Sequence, residues 1–147
     1  MGIKKYLLRI WNFWPPFFGA GIKIKSQSAD WRRVVVELKL RPWTANYVGT
    51  QFGGSMFAMT DAFYMVMLLH NLGSDYVVWD KSANIRFLKP GRTHLTAEFE
   101  LDELTLSEIK ETLSKQPKMD WVRKIQIKDL NGEVVAEVEK TIYIKKK

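Results

Sequence analysis

The run from Met56 to Leu69 is almost wholly apolar, yet it carries a carboxylate, Asp61, beside Thr60 and the Tyr64 hydroxyl. Burying an unpaired carboxylate costs several kcal/mol unless it is protonated or hydrogen-bonded. Asp is also a mediocre helix former. Asp61 therefore needs a partner such as Arg86, a water, or a chemical task, and a carboxylate in a cleft serves as a general base or a nucleophile. Eight and seven residues earlier stand Gly53 and Gly54. Glycines at a helix start leave backbone N–H groups unobstructed, and these with the helix dipole can hold a developing oxyanion; the alternative is a tight turn or close packing. At ~1.5 Å of rise per residue, Asp61 lies about 12 Å along a helix from Gly53. That is too far for both to act on one carbonyl carbon within one subunit. If both act, the site is shared between two subunits.

These residues must be positioned by a small set of elements. Residues 53–71 read as one long helix, apolar nearly all round, with Gly73 as its C-terminal cap; such a helix is buried. Residues 22–40 alternate as extended chain that turns near Ala29-Asp30 and ends before Pro42. After the helix come four strands, in "YVVWDKSANIRFL", "THLTAEFELDEL", "DWVRKIQIKDL" and "EVVAEVEKTIYI", with turns at Lys89-Pro90-Gly91 and Asn131-Gly132. Thr105 and Glu108 form a capping-box pattern that predicts a short extra helix over 106–115. Residues 3–14 predict an amphipathic arm with a fringe of Lys4, Lys5 and Arg9, ending before Pro15-Pro16; it packs on its own domain or a neighbour, or else touches a membrane surface. The sum is α+β, one domain: an antiparallel sheet wrapped around one long helix, with residues 1–20 as an N-terminal arm. Exposed strand edges invite pairing across a two-fold axis.

Composition narrows the function. The chain has 147 residues, no cysteine and a formal charge of +7. Thiolate chemistry, disulfides and cysteine-based metal sites are excluded, and a reducing, cytoplasmic setting is expected. The basic residues are scattered apart from Lys145-Lys146-Lys147, so the charge suits a phosphate-bearing ligand better than nucleic acid. No apolar run is long enough for a membrane span. Neither His70 nor His94 is placed for a dehydratase, and Ser55 has no evident partner for a nucleophilic triad.

The stretch "NYVGTQFGGSMFAMTD" resembles the signature of hotdog-fold thioesterases of the phenylacetate-pathway type: Asn46, Gly49, Gly53, Gly54 and Asp61 stand at the family's spacings, and "SANIRFLKPGR" is similar to the strand and turn that follow its helix. The resemblance implies acyl-CoA hydrolysis, with CoA as part of the substrate and no other cofactor. Asp61 would be general base or nucleophile, the Gly53 N–H would polarise the thioester carbonyl, and Asn46 would orient carbonyl or water. It also implies a homodimer, with a dimer of dimers plausible, in which Asp and Gly of one site come from different subunits. Phe52 stands where the family usually has His, which removes a hydrogen-bonding side chain. On this reading Gly54, Phe52, Met56 and Phe57, with Met59 and Phe63, would line the acyl chain. Ser82 or Asp80 would help hold water, and Arg86, Lys89 and Arg92 would meet CoA phosphates. A non-catalytic acyl-CoA or lipid-binding module of the same fold is the alternative, favoured by Phe52 and by the apolar helix.

Overall fold

The computed structural model describes residues 10–147; the basic end of the arm, with Lys4, Lys5 and Arg9, lies outside them. Residues 10–13 are helical, and a second short helix, α1 (Pro15–Ala20), follows at once. The first helix ends before Pro15-Pro16, as the sequence predicts, and α1 starts on Pro15 because proline is well tolerated in a first turn, where its missing N–H has no helical partner. Gly21 closes α1 with φ +80°. The described part of the arm, residues 10–20, packs on its own domain. Asn12 Oδ1 accepts from Ile24 N at 2.8 Å, and the Trp11 ring lies 6.2–6.5 Å from Phe17, Trp31 and Phe63.

β1 (Ile22–Gln27) and β2 (Arg33–Leu38) form the first hairpin. α2 (Gly53–Ala58) and α3 (Phe63–Leu72) occupy the stretch read as one helix. β3 (Tyr76–Phe87), β4 (Leu95–Glu100), α4 (Glu103–Lys115), β5 (Lys118–Lys128) and β6 (Val134–Lys146) complete the chain. The six strands make one antiparallel sheet in the order β1-β2-β4-β5-β6-β3. α4 begins three residues before the predicted 106 because Asp102, not Thr105, is the cap: its carboxylate accepts from Thr105 N at 2.7 Å.

The sheet's covered face carries the alternating apolar residues of each strand, among them Val34, Val36, Leu95, Ala97, Phe99, Ile125 and Ile142, and α3 lays Phe63, Tyr64, Met67 and Leu68 onto it. Phe63 and Tyr64 meet Phe99 with ring centroids 5.1 and 5.2 Å apart. The helix is therefore not buried all round. Ala62, Met65 and Val66 on its other side are partly exposed, as is Leu69. Among the described residues β3 is a twelve-residue edge strand paired only to β6, and it exposes Trp79 and Phe87. Its register slips at Lys81, between Asp80 and Ser82. An extra residue of this kind re-aims neighbouring side chains and is frequent beside active sites.

Candidate functional site

Asp61 sits in the break between α2 and α3, and its side chain is 72% exposed. Two expectations are corrected here: the helix is interrupted, and the carboxylate is not buried within the single chain. Its partner is also not Arg86. Lys140 of β6, whose side chain is 1% exposed, places Nζ 3.0 Å from Asp61 Oδ1 and 3.2 Å from Asp80 Oδ1. The same ammonium donates to the backbone carbonyls of Thr60 and Asp61. Those carbonyls, at the end of α2, have lost helical partners, and a cation is the favoured group at a helix C-terminus. Thr60 Oγ1 supports the break by donating to Phe57 O at 2.9 Å.

Lys140 was not singled out from sequence, though a signal was there. In β6 the residues Ala136, Val138, Ile142 and Ile144 alternate inward and are fully buried. Lys140 occupies the same phase, and a lysine at an inward position of an apolar strand requires a buried anionic partner.

Asp80 Oδ1 is buried and meets Lys140 in the geometry of an ion pair rather than an aligned hydrogen bond, so it keeps accepting capacity. Burial pushes the Asp80 carboxyl above its ordinary 3.8, against the pull of Lys140, and the Asp61 charge adds to the push. A carboxyl whose pKa is higher in the folded chain than in the unfolded one binds more proton when folded. Its contribution to stability is complete below pH 3.8 and is lost as pH rises through the folded value. Urea unfolding across a pH series should therefore show the stability of the unsubstituted protein, relative to Asp80→Asn, falling as pH rises above 3.8. A difference that stays flat with pH would remove Asp80 as a linked group.

The second part of the motif lies in a separate surface groove of about 480 Å³, which brings together Asn46, Gly53 and Met56 with Phe87, Lys89 and Gly91. Asp61 is not among its lining residues. Gly53 opens α2 after Phe52, whose own side chain makes no capping bond. A Cβ on Gly53 would stand 3.0 Å from the Phe87 ring, and one on Gly54 2.6 Å from the Phe52 ring, so both glycines permit a close approach of backbone and aromatic edge. Phe52 and Phe57 are exposed.

Asn46 is committed to its loop. Its Oδ1 accepts from Val48 N at 3.1 Å and Thr50 N at 3.0 Å, and its Nδ2 donates to Thr50 Oγ1 at 2.9 Å and Gln51 O at 3.3 Å. Buried Gln51 then ties that loop to the sheet, its Nε2 donating to Leu38 O at 3.1 Å and Thr93 O at 2.9 Å. The structural role of Asn46 thus precedes any contact with substrate. Asn46→Ala should cost about 1 kcal/mol in urea unfolding, the usual net value of such bonds. Unaltered stability with abolished turnover would instead give Asn46 the direct role implied by the resemblance.

Other expected residues divide clearly. Met59 and Phe63 are fully buried in the core, and Met56, though nearly buried, lines the Gly53 groove. Lys89 is held by Asp129, at 3.2 Å, and by Glu133, so its charge is already paired. Arg86 and Arg92 are exposed, and Ser82 lies exposed beside the bulge of β3. His94 Nδ1 accepts from Leu40 N at 2.9 Å, and His70 stacks on Trp31 at 4.5 Å, so both histidines have structural partners.

Comparison with solved structures fixes the fold. A Pseudomonas aeruginosa protein of unknown function, described as a probable thioesterase, shares 16% identity, with a TM-score of 0.84 over 98% of this chain and 96% of that one. A Chlorobaculum tepidum protein of unknown function shares 17% identity, with a TM-score of 0.74 over 99% and 95%. The thioesterase HI1161 of Haemophilus influenzae shares 15%, with a TM-score of 0.68 over 97% and 90%. The antiparallel sheet with its packed helix is the hotdog fold of these thioesterases. None of the curated proteins compared with the sequence matches it. Residues 4–144 match the family described as Domain of unknown function (DUF4442), and the chain belongs to that family.

Proposed function

We propose that the protein hydrolyses acyl-CoA thioesters in a site shared between two subunits. The observation that carries this reading is the solvent-accessible Asp61 carboxylate, held at a helix break by a buried lysine. It lies in a fold shared with proteins described as thioesterases. Asp61 takes a proton from water as the hydroxyl adds to the thioester carbonyl carbon, or attacks that carbon directly to form an acyl-aspartyl anhydride that water cleaves after the thiolate has left. The Gly53 N–H of the neighbouring subunit stabilises the oxyanion. The C–S bond then breaks, and the CoA thiolate leaves and takes up a proton.

The separation of the Asp61 cluster from the Gly53 groove supports a two-subunit site, because neither half is complete alone. The long unpaired edge of β3, with Trp79 and Phe87 exposed, supports its pairing with a second copy. Arg86 and Arg92 are available to CoA phosphates, whereas Lys89 reaches them only by leaving its carboxylates. Among the described residues no helix is long and apolar enough to cross a membrane. The arm nevertheless exposes Ile10, Phe13 and Phe18, the side chains that a peripheral contact would use.

Thiol release from a panel of short, aromatic and long acyl-CoAs, compared between the wild type and Asp61→Asn, tests the reading. Turnover that collapses in the folded variant supports it. Acyl-CoA bound without turnover by the wild type would overturn it and leave the binding module, which the exposed phenyl ring of Phe52 favours.

A further inference from the structure

We infer that the acyl chain binds between the N-terminal arm and the outer face of α3, in a cavity of about 760 Å³ walled by Trp11, Trp14, Pro15, Ala62, Met65 and Val66. This rests on the thioesterase reading and adds the substrate class: linear, medium to long acyl chains. The size lies within the range of small-molecule sites, about 300–1,000 Å³, which are largely apolar with a few polar groups at one end.

Three observations converge. First, α3 is apolar on two faces. One face, Phe63, Tyr64, Met67 and Leu68, is spent on the sheet, while Ala62, Met65 and Val66 turn towards the arm without being fully covered by it. Second, Met59 and Phe63 are closed in by their neighbours, and Met56 lines the smaller groove beside Gly53. Third, one wall of the cavity adjoins the carboxylate residue: Ala62, which lines the cavity, follows Asp61 directly, and Ala62 and Val66, four residues apart at the start of α3, form one row of side chains along the apolar wall. A chain laid along that row has its first carbonyl at the Asp61 end and its methyl end among the arm's aromatic rings. The described lining is apolar, and Asp61 with its buried Lys140 follows on from it next to Ala62, which is the polarity of a fatty acyl thioester. The arm is a stable wall for this purpose, being tied to β1 through Asn12 and Ile24 and to the core through Trp11.

The test is calorimetric titration with hexanoyl-, octanoyl-, decanoyl- and dodecanoyl-CoA below their micellar concentrations, on the full chain and on Val66→Trp, which fills the cavity. Each methylene buried should tighten Kd by about fourfold in the wild type, from ~0.8 kcal/mol per CH₂. Val66→Trp should flatten that series. Ala62→Phe, which narrows the Asp61 end of the same row, serves as a second variant if Val66→Trp does not fold, and should weaken the binding of all four chains. A wild-type affinity indifferent to chain length overturns the inference. So does a series left unchanged by a folded variant, or a change in oligomer mass with no change in acyl affinity, which would assign this face to a second copy. Chain-length-dependent binding without hydrolysis keeps the cavity and sinks the hydrolase reading. Hydrolysis with flat binding does the reverse.

Discussion

Asp61→Asn is expected to lower kcat on acyl-CoA by about 10²–10⁴-fold, the usual contribution of a positioned general base, while the protein remains folded. The two halves of that expectation have separate causes. The side chain is 72% exposed, so the substitution removes no core packing. The amide keeps an oxygen that can accept from Lys140 Nζ, which also retains Asp80 at 3.2 Å. Stability should therefore move little, because the buried ammonium keeps the Asp80 carboxylate and the carbonyls of Thr60 and Asp61 as partners. What the amide cannot do is take a proton from water or attack a carbonyl carbon. A kcat loss with an unchanged unfolding curve isolates the chemistry from the fold. Equal turnover in the two proteins, measured as thiol release per subunit, would remove Asp61 from the mechanism, and attention would pass to Asp80, the neighbouring carboxylate whose Oδ1 retains accepting capacity.

The strands were legible because period-two alternation is a local signal, and Gly132 and Gly73 mark their turn and cap by positive φ. The continuity of the central helix was not legible. Composition from Met56 to Leu69 favours an unbroken helix, and the break is set by a residue some eighty positions away, Lys140, which draws off the carbonyls of Thr60 and Asp61. Long-range pairing of this kind has no trace in the helix's own sequence. The arm's two faces were equally hidden. Trp11 and Phe17 look no different in sequence from Phe13 and Phe18, yet Phe17 packs into the core while Phe13 and Phe18 stay exposed. Asn46 shows how spacing can be right while the physical role shifts: the residue stands where the motif places it, but its hydrogen bonds close the loop that carries Gly53.

Lys140→Met should be the most destabilising single change at the site, lowering the unfolding free energy by about 3 kcal/mol. Removing one partner of a buried ion pair costs roughly 3–5 kcal/mol when it leaves a charge uncompensated. The low end applies because Asp61 already faces water, and Asp80, which burial inclines towards protonation, can take up a proton. Methionine is apolar, close in length and tolerant of irregular gaps, so it suits the neighbourhood of Val138 and Ile142 and leaves little cavity behind. The loss thus reports the charge and its bonds to the two carbonyls rather than packing. Adding Asp80→Asn removes the stranded carboxyl and should return part of the loss, with a coupling energy of about 0.5–3 kcal/mol in a double-mutant cycle. Urea unfolding of the four proteins measures both terms. If Lys140→Met unfolds at the wild-type midpoint, the ammonium does not hold the break. In that case the position of Asp61 must depend on contacts made by a second subunit.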